Sequence, residues 1–109
     1  MKKKNKLNFK VLDCTLRDGG YYNNWNFSDK VVNEYVSSIN QSGIDVVEIG
    51  FRFLKKNNNG TFANTKEEII NNLKIKKSVD LALMINSSDF DVSKNYKSQI
   101  KKYFLPRKK

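Results

Sequence analysis

Ile44-Asp45-Val46-Val47-Glu48-Ile49-Gly50 is the stretch that decides the fold. It is apolar and β-branched almost throughout, as expected of a strand covered on both faces in a parallel sheet. Two runs of the same character flank it, Phe9-Lys10-Val11-Leu12-Asp13-Cys14-Thr15 and Val79-Asp80-Leu81-Ala82-Leu83-Met84-Ile85. The three begin at evenly spaced positions, 9, 44 and 79. Between the first two, Val31, Val32, Tyr35, Val36 and Ile39 recur at helical spacing and predict one buried helix face. Ser28 is placed to cap that helix, Asp29 suits its N-terminal dipole, and Gly43 can supply a left-handed C-cap. Between the second and third runs, Thr65-Lys66-Glu67-Glu68 predicts a capping box opening a helix that buries Ile69, Ile70 and Leu73. Tyr96, Ile100, Tyr103 and Phe104 mark a last helix, stopped by Pro106. Asn57-Asn58-Asn59-Gly60 reads as an exposed turn-rich loop.

The order β-α-β-α-β-α predicts an α/β fold with a parallel sheet. Two architectures use such units: a small doubly wound sheet, and a (β/α)8 barrel of which this chain would hold the first three β/α units. Periodicity alone does not choose between them. A closed barrel needs roughly 250 residues, so 109 exclude a complete one. The domain reading is a basic extension over 1–8 and one partial barrel domain over 9–109.

The chain contains no histidine, which removes the commonest general base and metal ligand together. A single cysteine, Cys14, excludes an intramolecular disulfide and any Cys/His zinc spacing. Its place in the first run predicts a small buried residue. Neither a signal-peptide core nor a membrane-length apolar run is present, and the expected compartment is the cytoplasm. The net charge of +10 invites a nucleic-acid reading. Yet 18 of the 21 basic residues are scattered lysines accompanied by 15 Asn, so the charge reads as a solvated surface and neither nucleic acid nor membrane is expected as partner.

Active sites of parallel α/β folds collect at the C-terminal ends of the strands. Thr15-Leu16-Arg17-Asp18-Gly19-Gly20 follows the first run; Glu48 and Arg52 stand at the end of the second. Alternation places Val46, Glu48 and Gly50 on one strand face. A carboxylate in a buried strand requires a partner, and Arg17 is the candidate. From residue chemistry alone, Arg17, Asp18 and Glu48 are either a site for a metal and an anionic substrate or a structural ion pair closing a strand–loop junction. Arg52 is either a carboxylate or phosphate binder or one half of a plain ion pair. Tyr21, Tyr22 and Trp25 either line a pocket mouth or pack on the next loop.

Asp13-Cys14-Thr15-Leu16-Arg17-Asp18-Gly19-Gly20, followed one strand later by Val47-Glu48-Ile49-Gly50, resembles the start of the HMG-CoA lyase-like family. That family includes HMG-CoA lyase, 4-hydroxy-2-oxovalerate aldolase, isopropylmalate and homocitrate synthases and pyruvate carboxyltransferase domains. The run from Leu12 to Trp25, with Gly20-Tyr21-Tyr22-Asn23-Asn24-Trp25, is similar to an aldolase-domain subgroup, and the resemblance extends from about Lys10 to Pro106. It implies a TIM barrel and formation or cleavage of a carbon–carbon bond through an enolate on a 2-oxo acid or related acyl substrate. By the same resemblance Asp18 matches the carboxylate ligating a divalent metal, Mn²⁺ or Mg²⁺. Arg17 matches the arginine that stabilises the enolate oxygen, and Glu48 the glutamate that orients the site. Tyr21, Tyr22 and Arg52 are the expected substrate contacts. The family's His-x-His metal ligands lie on a late strand, so the expectation is a truncated barrel, inactive alone unless another chain supplies the rest. The rival expectations are a non-catalytic fragment that docks on an intact barrel and, less favoured, a basic nucleic-acid binder.

Overall fold

A computed structural model describes residues 8–91 and 93–104. Three strands, β1 (Leu12–Asp13), β2 (Val46–Phe51) and β3 (Asp80–Met84), form one parallel sheet in the order β1-β2-β3. Helices α1 (Thr15–Gly19) and α2 (Asp29–Ser42) lie between β1 and β2, α3 (Glu67–Asn72) between β2 and β3, and α4 (Tyr96–Tyr103) after β3. The expected α/β architecture of three successive β/α units is therefore present. Among the described residues no helix is long and apolar enough to cross a membrane. Residues 1–7 of the basic extension over 1–8, and the stop at Pro106, lie outside the described residues.

The core sits between the middle strand and the helices. Val47 and Ile49 are fully buried and share one cluster with Val32, Val36 and Ile39 of α2 and Ile70 of α3. The helix α2 forms as its caps dictate. Ser28 Oγ accepts from the Val31 amide at 3.3 Å, and Gly43 closes the helix with φ 75°. Within it Val31 is exposed rather than buried, because the apolar stripe is set by Val32, Val36 and Ile39 with Tyr35 at its border.

Four local expectations are corrected. The first strand is two residues long; Cys14 leaves it to precede α1 and is only partly buried. The chain turns early because Asp13 captures Thr15, through its amide at 3.1 Å and its hydroxyl at 2.8 Å, in a side-chain turn that competes with the ladder. The capping box does not form: Lys66 precedes α3, and Thr65 is fully buried with Oγ1 unpartnered among the described residues. Gly50 does not share a face with Glu48. A register irregularity between them sets Gly50 opposite Leu83, and a Cβ on Gly50 would overlap the Phe62 backbone. Finally, the 57–60 loop is half-buried rather than free, because Asn57 and Asn64 exchange side-chain amide hydrogen bonds of 2.9 and 3.1 Å. Its Gly60 amide donates to the Asn24 carbonyl at 2.7 Å, tying it to the loop that precedes α2.

Candidate functional site

The short β1 leads directly into α1, which packs against β2. Arg17 on α1 and Glu48 on β2, 31 residues apart in sequence, meet with Nε donating to Glu48 Oε1 at 2.5 Å. Both side chains are mostly buried, 22% and 14% exposed, so the pair is shielded from the screening that makes surface ion pairs weak. The hydrogen bond from Nε to the Glu48 carboxylate holds the Arg17 guanidinium above its ordinary pKa; burial opposes this without reversing it. Asp18 stands on the solvent side, its Oδ1 3.8 Å from Arg17 NH1 and its side chain 71% exposed. The structure thus brings Arg17, Asp18 and Glu48 together just past the C-terminal end of β1, with Glu48 in the middle of β2 rather than at its end.

An aromatic group stands beside this cluster. The Trp25 ring meets Phe51 edge-on at 5.3 Å and Phe53 at 5.6 Å, and Phe51 stacks on Phe53 at 4.7 Å. Tyr21 packs edge-on to Trp25 at 4.9 Å while much of its ring stays open to solvent. Tyr22 is 94% exposed and adds no packing. Arg52 belongs to a different knot. Its Nε donates to the Thr65 carbonyl at 2.5 Å, NH1 to the Tyr103 carbonyl at 2.7 Å and NH2 to Glu67 at 3.2 Å, and its guanidinium lies over Phe104. Those bonds join the end of β2 to the approach to α3 and to the end of α4.

One polar pair beside the cluster escaped the sequence reading. The Tyr35 hydroxyl, from α2, donates to Asp13 at the end of β1. Burial raises the Asp13 carboxyl, but hydrogen bonds from Tyr35 and from the amide and hydroxyl of Thr15 outweigh it and leave the pKa below the ordinary value. Tyr35 is pushed up, first by burial and then by its bond to Asp13. Placing Tyr35 on the apolar face of α2 concealed this role, since the face alone does not tell which strand end it meets.

As to a divalent metal, Asp18 is an exposed oxygen donor of the right chemistry. Glu48 is committed to Arg17, and Asp13 to Tyr35 and Thr15. Among the described residues no group of three or more His, Cys, Asp or Glu is placed to hold an ion. The described residues therefore offer one ligand and not a metal site. A hollow of about 510 Å³ on the helical side, lined by Asn33, Ser37, Asn40, Asn72 and Lys74, holds amides and hydroxyls with no paired acid and base.

No protein-family profile and no curated protein matches the chain. Among solved structures, the chain is similar to the crystal structure of the N-terminal domain of a "putative aldolase" from Bacteroides vulgatus, with 34% sequence identity and a TM-score of 0.75. The match covers 89% of this chain and 31% of that one, so the chain spans about a third of the length of the protein it matches. Three parallel β/α units with an aldolase-like N-terminal fold are thereby assigned.

Proposed function

We propose that the chain carries the N-terminal part of a carbon–carbon lyase of the HMG-CoA lyase-like kind, an aldolase acting on a 2-oxo acid or related acyl substrate through an enolate. The observation that supports this reading most directly is the Arg17–Glu48 pair, formed by residues distant in sequence where α1 meets β2. When a bond next to a carbonyl breaks, its electron pair moves toward the carbonyl oxygen, which gains negative charge. A guanidinium already fixed beside that oxygen stabilises the charge without reorganising. Glu48 holds Arg17 in place, and the open face of Tyr21 offers an apolar wall for the substrate chain. Arg52, bound to backbone carbonyls and Glu67, is engaged in its own knot and has no part in this step. A divalent metal, Mn²⁺ or Mg²⁺, enters the reading only with Asp18 as one ligand and the others from outside the described residues.

The whole activity requires the remaining β/α units, on further residues or on another polypeptide. A second reading, a non-catalytic piece that docks on such units, is favoured by the free edge of β3. Both are tested by combining this chain with the part of the Bacteroides vulgatus protein that lies beyond the matched segment. Pyruvate release from 4-hydroxy-2-oxo acids is then followed with Mn²⁺ present. The expected result is turnover that falls by about 100-fold in Arg17→Ala, the size typical of losing one oxyanion donor. A folded complex without turnover supports the docking reading; turnover indifferent to Arg17→Ala overturns the enolate assignment.

A further inference from the structure

Trp25 has φ 58° and follows Asn24 at φ 56°. A left-handed conformation is rare for any residue with a Cβ and is a genuine outlier for one as bulky as tryptophan. Such strain persists only where surrounding contacts over-determine it, and it clusters at functional sites. Here the constraints are specific. The Trp25 amide donates to the Gly20 carbonyl at 3.0 Å, and its carbonyl accepts from Phe62 at 3.3 Å. Gly20 lies so close under the indole that a Cβ there would overlap the ring, and a Cβ on Gly60 would press on the Trp25 carbonyl. The buried ring aims Nε1 at the Arg17 carbonyl, to which it donates at 2.8 Å.

We propose that Trp25 is a positioning residue for Arg17. Its strained backbone and indole N–H hold α1 in the one place from which the guanidinium reaches Glu48. The inference rests on the reading of Arg17 and Glu48 as the reactive pair, but it concerns their geometry and can be tested without turnover. The chain has one tryptophan and three arginines, so the indole N–H and the guanidinium Nε–H signals in a ¹H–¹⁵N spectrum are few and assignable. Trp25→Phe removes the donor and keeps a ring. The expected result is loss or displacement of the Arg17 Nε–H signal while that of Arg52, bonded to the Thr65 carbonyl, stays in place. An Arg17 signal that is unmoved overturns the proposal, as does a uniform shift of all arginine signals in a Trp25→Phe chain that remains folded. Should Trp25→Phe unfold the chain and erase both signals, Glu48→Leu, which leaves Arg17 no acceptor at that position, decides. Coupling between two sites is reciprocal, so freeing Arg17 from Glu48 is expected to shift the Trp25 indole signal, and an unchanged indole overturns the proposal. Because these signals do not depend on catalysis, a failed turnover assay with coupled signals counts against the enolate reading alone.

Discussion

Two side chains from distant segments set the terms at the scale of single residues. The hydrogen bond between Tyr35 and Asp13 ties α2 to the end of β1. Tyr35→Phe is expected to lower the unfolding free energy by about 1–2 kcal/mol, toward the low end for a bond to a charged group because the pair is only partly buried. Its pH dependence follows from the two shifts. Asp13 is depressed in the fold, so its contribution is present above the unfolded carboxyl pKa of about 4 and is lost as pH falls through the lower folded value. Tyr35 is raised, so its contribution is present below about pH 10 and is lost as pH rises through the higher folded value. Urea unfolding from pH 3 to 11 checks both limbs, and in Tyr35→Phe the alkaline limb is expected to flatten. The partnership of Arg17 with Glu48 was legible in the sequence, because a carboxylate between Val47 and Ile49 must find a cation and Arg17 ends the neighbouring unit. The Tyr35 bond and the Trp25 strain were not, since both depend on where a loop brings a side chain.

Caps and ladders govern the elements. Ser28→Ala is expected to cost about 1 kcal/mol through the lost N-cap. Gly43→Ala is expected to cost about 1–2 kcal/mol, because open space around the glycine does not relieve the left-handed backbone. Thr65 is expected to behave in the opposite way. Its hydroxyl is buried without a partner, so Thr65→Val should raise stability by about 1 kcal/mol; thermal unfolding of the three variants distinguishes the signs. The same residue shows why the capping box misled. The sequence Thr-x-x-Glu satisfies the pattern, yet the Thr65 amide is drawn into a 3.1 Å bond with the Phe51 carbonyl and the Thr65 carbonyl into one with Arg52. Tertiary bonds to β2 thus outcompete a local cap. The helix α2 was readable in full because Ser28, the apolar stripe and Gly43 agree, whereas alternation along β2 failed at a bulge that no residue type announces.

At the scale of the whole molecule, the sheet is covered on one face and open on the other. Leu12, Met84 and Ile85 are exposed, and β3 has no further strand beside it among the described residues. An apolar strand with unpaired backbone groups is a template for another chain. The isolated chain is expected to self-associate despite its charge of +10, with a sedimentation coefficient that rises with concentration. Met84→Lys, which places a charge on the exposed row, is expected to shift the distribution toward monomer. A concentration-independent monomer in the unmodified chain would show that this face closes upon itself.

The bond from the Gly60 amide to the Asn24 carbonyl also bears on chemical ageing. In an Asn-Gly pair the glycine nitrogen can attack the preceding side-chain amide, expel ammonia and leave a succinimide that hydrolyses to aspartate or isoaspartate. In the fold that nitrogen is engaged by Asn24, so native molecules should age slowly at Asn59 and unfolded ones quickly. An isoaspartate would lengthen the main chain where Gly60 is wedged against Trp25 and Asn26. Each excursion from the native state would thus carry a risk of being recorded covalently, as a mass gain of about one dalton in the peptide containing Asn59, and molecules so marked would be the ones that no longer return.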